Sequence, residues 1–180
     1  VAAPPPPVAT PGTVSLIAGG TETFSPIFGS SGLARKATGG PDLTTTTVCI
    51  IGPVMGVCDP VNVILVPGEG TFTLNPATGV VTYVSDIAAT SGVKTEVTYS
   101  ITDALGVTVT STLTPTIIPK PTALPDSSMG VMGAKQTLSP LGNDTPGASS
   151  NPLIKTSIKL CGSGETAPAC TQTSVTVSGE

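Results

Sequence analysis

Histidine and tryptophan are absent from this 180-residue sequence. Without histidine there is no His-based triad and no His-ligated zinc. Aromatics are only 3% of the chain, so its core must be aliphatic and an aromatic platform for glycans is scarce. Charged residues are 10% and the net charge is −4, with no basic patch to hold nucleic acid. The mean hydropathy is +0.35, yet no apolar run approaches the about 18 residues of a membrane span. No signal peptide, lipidation motif or anchor is evident. No Gly-rich loop opens a helix, so a phosphate cradle is unsupported. The serines stand in loops without a base. The chain reads as non-catalytic, with no cofactor and no metal.

What the sequence has is glycine (21), proline (19) and runs rich in Thr and Val between them. Thr and Val fit a pleated sheet and are mediocre in helices. No amphipathic helical stretch of useful length occurs. The expected class is all-β, built of short strands separated by turns. Candidate strands are 14–18, 21–25, 46–51, 61–66, 70–74, 80–83, 96–102 and 107–116. Alternation assigns Val14, Leu16, Phe72, Leu74, Val81, Tyr83, Val97, Tyr99, Ile101, Val107, Val109 and Leu113 to the inward faces. Many short strands at regular spacing predict a two-sheet, Ig-like sandwich.

The stretch 66–83, VPGEGTFTLNPATGVVTY, is the clearest element. Two alternating runs flank Asn75-Pro76-Ala77-Thr78-Gly79, a turn that Gly79 closes with positive φ. This predicts a hairpin with a five-residue connection. Asp103-Ala104-Leu105-Gly106 predicts a second turn of the same kind. Residues 1–12, VAAPPPPVATPG, read as a Pro-rich linker, a plain spacer rather than a recognition ligand. Residues 29–41 read as a solvated Gly/Ser-rich loop carrying the basic pair Arg35 and Lys36. Asp103, Asp126 and Asp144 read as turn formers, since no clustered carboxylates suggest calcium. Lys–Asn crosslinks remain a minor alternative that the sequence does not place.

The chain then begins again. Thr137-Leu138-Ser139-Pro140 answers Thr23-Phe24-Ser25-Pro26 at an offset of 114. Cys161 answers Cys49 and Cys170 answers Cys58, both at 112, and Glu180 answers Glu69 at 111. Landmarks in one order at nearly one offset predict a tandem repeat of roughly 112 residues, beads rather than a solenoid. The expected organisation is a sandwich over 13–118 and the N-terminal part of a second, incomplete sandwich over 119–180. Residues 174–180 echo 64–69, so the repeat is expected to be interrupted inside its central motif. Alone, residues 119–180 would keep open sheet edges and exposed apolar side chains. Completion is expected from a following segment in cis, with strand addition from a neighbouring chain as the alternative.

Four cysteines allow three pairings. A zinc site would need the tighter CxxC spacing. The repeated Cys-x8-Cys favours disulfides Cys49–Cys58 and Cys161–Cys170, each stapling a connection between strands, and an oxidising compartment.

Three motifs together carry a resemblance: GNDTPG at 142–147, VPGEGTFTLNPATGVVTY at 66–83 and VTYSITDALG at 97–106. They resemble the CshA-type fibril repeat of bacterial cell-surface fibrillar adhesins, over nearly the whole chain after the linker. The first repeat departs from it, with Phe28-Gly29-Ser30 where the second has Asn143-Asp144-Thr145. The paired cysteines are also outside the pattern. The resemblance implies a secreted, β-rich module repeated along an extracellular fibril on the bacterial cell surface. Adhesion would then sit in a separate terminal region. The partners it implies are neighbouring repeats of the same chain or filament, and host surfaces or other cells, with no nucleic acid and no membrane. The rival readings are a filament subunit polymerised by strand complementation and a glycan- or host-protein-binding module.

Overall fold

The computed structural model describes residues 2–25, 32–43, 47–53, 56–148, 152–162 and 164–174. Expectations resting on Pro26, Phe28, Gly29, Ser30, Thr46 and residues 175–180 lie outside the described residues. The chain divides into two units, Val1–Lys120 and Pro121–Glu180.

The first unit is all-β, as composition predicted. Its strands are β1 (Val8–Ala9), β2 (Gly12–Leu16), β3 (Thr21–Phe24), β4 (Ala34–Arg35), β5 (Cys49–Ile51), β6 (Val63–Val66), β7 (Gly70–Asn75), β8 (Val80–Ser85), β9 (Gly92–Val93), β10 (Val97–Thr102) and β11 (Thr108–Ile117). Two sheets form a sandwich. The five-stranded sheet runs β2-β11-β10-β5, with β9 also on β11, and the four-stranded sheet runs β3-β8-β7-β6. All these pairings are antiparallel except β2 with β11, which is parallel from Leu113↔Gly12 to Ile117↔Leu16.

One core fills the space between the sheets. Leu16, Val97, Tyr99, Ile101 and Leu113 enter from one side, and Phe24, Ile64, Phe72, Leu74, Val81 and Tyr83 from the other. Alternation is the reason: β7 buries Phe72 and Leu74 while Thr73 faces outward. The three rings on the four-stranded sheet touch. Phe72 lies 4.7 Å from Tyr83 and 6.2 Å from Phe24, centroid to centroid. Such pairs are worth about 0.5–1.5 kcal/mol beyond the burial of their area.

The predicted hairpin forms. Gly79 takes φ 68° and donates its N–H to the Asn75 carbonyl at 2.8 Å. The Asn75 side-chain oxygen accepts from the Ala77 N–H at 3.0 Å, the local bond that makes Asn-Pro a turn starter. Asn75 itself pairs with Val80, so the connection is one residue shorter than expected. The Asp103 turn also forms. Its Oδ1 accepts from the Leu105 and Val107 amides, at 2.8 and 2.9 Å. That places Val107 in the turn ahead of β11, where it is 41% exposed rather than inward-facing.

Two boundaries differ from the sequence reading. Pro7 is buried and Val8–Ala9 pair with Ala34–Arg35 in a separate two-stranded sheet, so the first unit takes in residues assigned to the linker. Ala34 is fully buried, so the Gly/Ser-rich stretch contains a strand and not only loop. Pro115 sits inside β11 without breaking the sheet. It falls where β10 has ended at Leu113 and β9 begins opposite Thr116, so its missing N–H costs no bond on that side.

The second unit has a different character. Apart from hydrogen-bonded turns, its described residues form only the isolated bridges Thr122↔Thr145 and Leu160↔Gln172 and one 3-10 turn at Lys155–Ser157. None of them is buried.

Candidate functional site: a disulfide-stapled sheet edge

Cys49 opens β5, the outer strand of the five-stranded sheet, opposite Ser100 on β10. After β5 the chain crosses to β6, the outer strand of the other sheet. The Cys49–Cys58 disulfide spans this crossing, with the two Cα atoms 5.6 Å apart. Behind it the Asp59 N–H donates to the Ile50 carbonyl at 2.9 Å. The Asp59 carboxylate accepts from Val61 and Val63 amides at 2.9 and 3.2 Å, turning the chain into β6. Asn62 makes that turn with φ 59°, a conformation its short polar side chain tolerates. On the chain-entropy account, closing this ten-residue loop is worth about 2.7 kcal/mol.

The expected cysteine partners are thus brought together in both units. Cys161 and Cys170 are also bonded, with Cα atoms 4.6 Å apart. Beside them the Leu160 N–H donates to the Gln172 carbonyl at 2.8 Å. Inside this loop the Gly162 N–H donates to the Glu165 carboxylate at 2.8 Å, and that bond holds the carboxyl below the usual glutamate range.

Next to the first disulfide lies an apolar groove of about 430 Å³, lined by Gly52, Val57, Val63, Leu65, Pro67 and Thr95 among others. Leu65 is 68% exposed on the free edge of β6. Glu69 closes the turn that follows. Its carboxylate accepts from the Thr95 N–H at 2.7 Å, and its carbonyl accepts from the Tyr83 hydroxyl at 2.8 Å. Glu69 is thereby a positioning residue that ties β7 to the segment ahead of β10. The sequence marked it only as a repeat landmark.

The described aromatics are committed to the interior. Phe24, Phe72, Tyr83 and Tyr99 are all buried. The Tyr99 hydroxyl donates to the Thr10 carbonyl at 2.7 Å and accepts from the Thr10 N–H at 3.1 Å, latching the segment after the prolines to the core. Burial pushes both tyrosine pKa values up from the ordinary phenol range. No signal short of knowing the register would have found this latch.

The remaining candidates stay apart. Arg35 lies in β4, and Lys36 pairs with Asp42 at 2.7 Å on the exposed surface, which lowers the Asp42 pKa. Asp103 is buried, and its Oδ2 has no hydrogen-bond partner among the described residues. Asp144 accepts the Leu124 N–H at 2.8 Å, and Asp126 is exposed. Among the described residues no three Cys, Asp or Glu side chains gather into a metal-binding group. No helix among them is long and apolar enough to cross a membrane. The two disulfides fit an oxidising, extracytoplasmic setting.

No protein-family model matches this chain, and no curated protein is similar enough to count as a relative.

Proposed function

We propose that this chain is a non-catalytic structural repeat of an extracellular bacterial surface fibril or adhesin stalk, spacing a terminal adhesive region from the cell. One observation supports the reading most. The first and last long strands of the sandwich, β2 and β11, lie side by side and parallel. The chain therefore comes in at the Gly12 end and leaves at the Ile117 end, opposite ends of the strand axis. Tension along the polypeptide loads this five-pair ladder in shear, so its bonds resist together rather than opening one at a time. That is what a load-bearing bead in a string needs. The disulfide adds a limit to how far the bead extends.

The repeat supports the same reading from within the chain. Gly19 and Gly133, 114 residues apart, both take positive φ, 80° and 77°. Gly20 N–H donates to the Ile17 carbonyl at 2.9 Å, and Ala134 N–H to the Val131 carbonyl at 3.1 Å, the same turn at the same offset. Burial of the four described tyrosine and phenylalanine rings weighs against a glycan-binding module. Brief protease treatment of intact cells tests the proposal. First-unit peptides released without lysis are expected; their release only after lysis would overturn it, and saturable sub-millimolar glycan binding by the chain would favour the binding module.

A further inference from the structure

β6 is an outer strand of the four-stranded sheet and pairs there with β7 alone. The Leu74 N–H donates to the Asn62 carbonyl at 2.9 Å, and the Glu69 N–H to the Val66 carbonyl at 3.0 Å. Asn62, Ile64 and Val66 thus turn their backbone groups toward β7. By the alternation of an antiparallel ladder, Val63 and Leu65 turn theirs to the free edge. The Val63 N–H is taken by the Asp59 carboxylate at 3.2 Å. The Val63 carbonyl and both backbone groups of Leu65 have no hydrogen-bond partner among the described residues. Such an edge is commonly guarded by Lys, Pro or a bulge, yet Val63–Val66 holds neither charge nor proline. The outer strand of the other sheet, β5, is covered instead. The Ile51↔Cys58 bridge and the bond from the Asp59 N–H to the Ile50 carbonyl close its edge.

The apolar groove lies against this open edge. Val63 and Leu65 line it with Val57 and Pro67, and Val57, Val63 and Leu65 are all exposed. A strand laid beside Val63–Leu65 would meet the free backbone groups and turn alternate side chains to the groove. Charge at the site has one sign. Asp59 is the one charged residue among the described lining residues. The ion pair among the described residues is Lys36–Asp42, so Asp59 has no cation beside it. Lys94, next in sequence to the lining residue Thr95, is buried and donates to the Thr90 hydroxyl at 3.3 Å.

We propose that the β6 edge is a docking site for an extended peptide segment of another protein, added as a further strand to the four-stranded sheet. The segment carries apolar side chains at alternate positions and a Lys or Arg that meets Asp59. Main-chain bonds supply the pairing, the groove selects the apolar side chains, and Asp59 selects the sign of charge. A second copy of this chain is the weaker occupant. Its net charge is −4. Pairing β6 with its own copy would bring a second uncompensated carboxylate to the edge, and Asp59 would withhold the Val63 amide of each copy. The site lies within the first unit, goes beyond a spacer role, and does not depend on where the protein resides.

The test titrates the full chain with a blocked short peptide that alternates Val and Thr around a central Lys, and follows amide exchange by residue. Saturable binding with a Kd below about 1 mM is expected. With free peptide at about ten times that Kd, the Leu65 amide is expected to exchange about tenfold more slowly. Glu in place of the peptide's Lys should weaken binding about fivefold. Asp59→Asn, which keeps the side-chain oxygen used by the Val61 and Val63 amides, should erase that difference. N-methylating alternate peptide amides should abolish binding in one phase and spare it in the other, because an added strand pairs through one of its own edges. Absence of saturable binding, an unchanged Leu65 amide, equal affinity for the Lys and Glu peptides, or the same outcome in both N-methylated phases would each overturn the proposal. Slowing of the Leu65 amide with rising protein concentration and no peptide would assign the edge to a second copy and overturn the foreign segment.

Discussion

Pulling the oxidised chain by its two ends, and repeating the pull after reduction, probes the shear ladder and the staple together. The second unit has no buried described residue, so it is expected to extend without a resolved event. The first unit should give one abrupt rupture. In the fold, Gly12 is level with Leu113 and Leu16 with Ile117, so the ends of the ladder stand four residues apart, about 13 Å at strand spacing. The roughly 105 peptide steps from Gly12 to Ile117 extend to about 370 Å at full stretch. The disulfide removes a nine-residue separation and replaces it with a 5.6 Å link, shortening the extended chain by about 26 Å. The rupture should therefore lengthen the chain by about 330 Å when oxidised and about 355 Å when reduced. Single-molecule force spectroscopy reads both steps. Gradual lengthening without a rupture would refute the shear argument. Equal steps before and after reduction would refute the staple.

Three further outcomes follow from the core and its chemistry. Replacing Cys49 and Cys58 with Ser should lower stability by about 2.7 kcal/mol, read by denaturant unfolding against the parent under oxidising conditions. Phe72→Ala empties the centre of the ring cluster and should cost about 3–5 kcal/mol, a large part of the 5–15 kcal/mol typical of a domain; a loss under 1 kcal/mol would mean the cluster is not the core. Tyr83 and Tyr99 have raised pKa values in the fold, so the folded state holds their protons longer than the unfolded chain. Stability should be level below the unfolded value of about 10 and fall as pH rises through the folded one, and Tyr99→Phe should flatten that fall.

The parts of the fold visible in the sequence are those with a local code. Alternation in Phe72-Thr73-Leu74 and Val97-Thr98-Tyr99 marks strands, and Asn75-Pro76 and Asp103 mark turns, because each acts within a few residues. The cysteine pairing was legible for another reason: the spacing is repeated, and the loop it closes is short. What was hidden depends on distant partners. Val8–Ala9 is too short to show a period and follows four prolines, which mask it as linker. Ala34 is buried in a two-residue strand that pairs only with β1. The Thr10–Tyr99 latch joins residues 89 apart. Nor does anything in the sequence announce that β2 and β11 run parallel. The division into outer and central strands is likewise a property of the pairing and not of any one segment.

The mass of the native polypeptide, taken from reduced and denatured source cells with an antibody to the first unit, tests the stalk account most directly. A single chain many times heavier than 17.7 kDa is expected, with further copies of the repeat in it. A native polypeptide close to 17.7 kDa would contradict it and point to a subunit that assembles by exchanging strands.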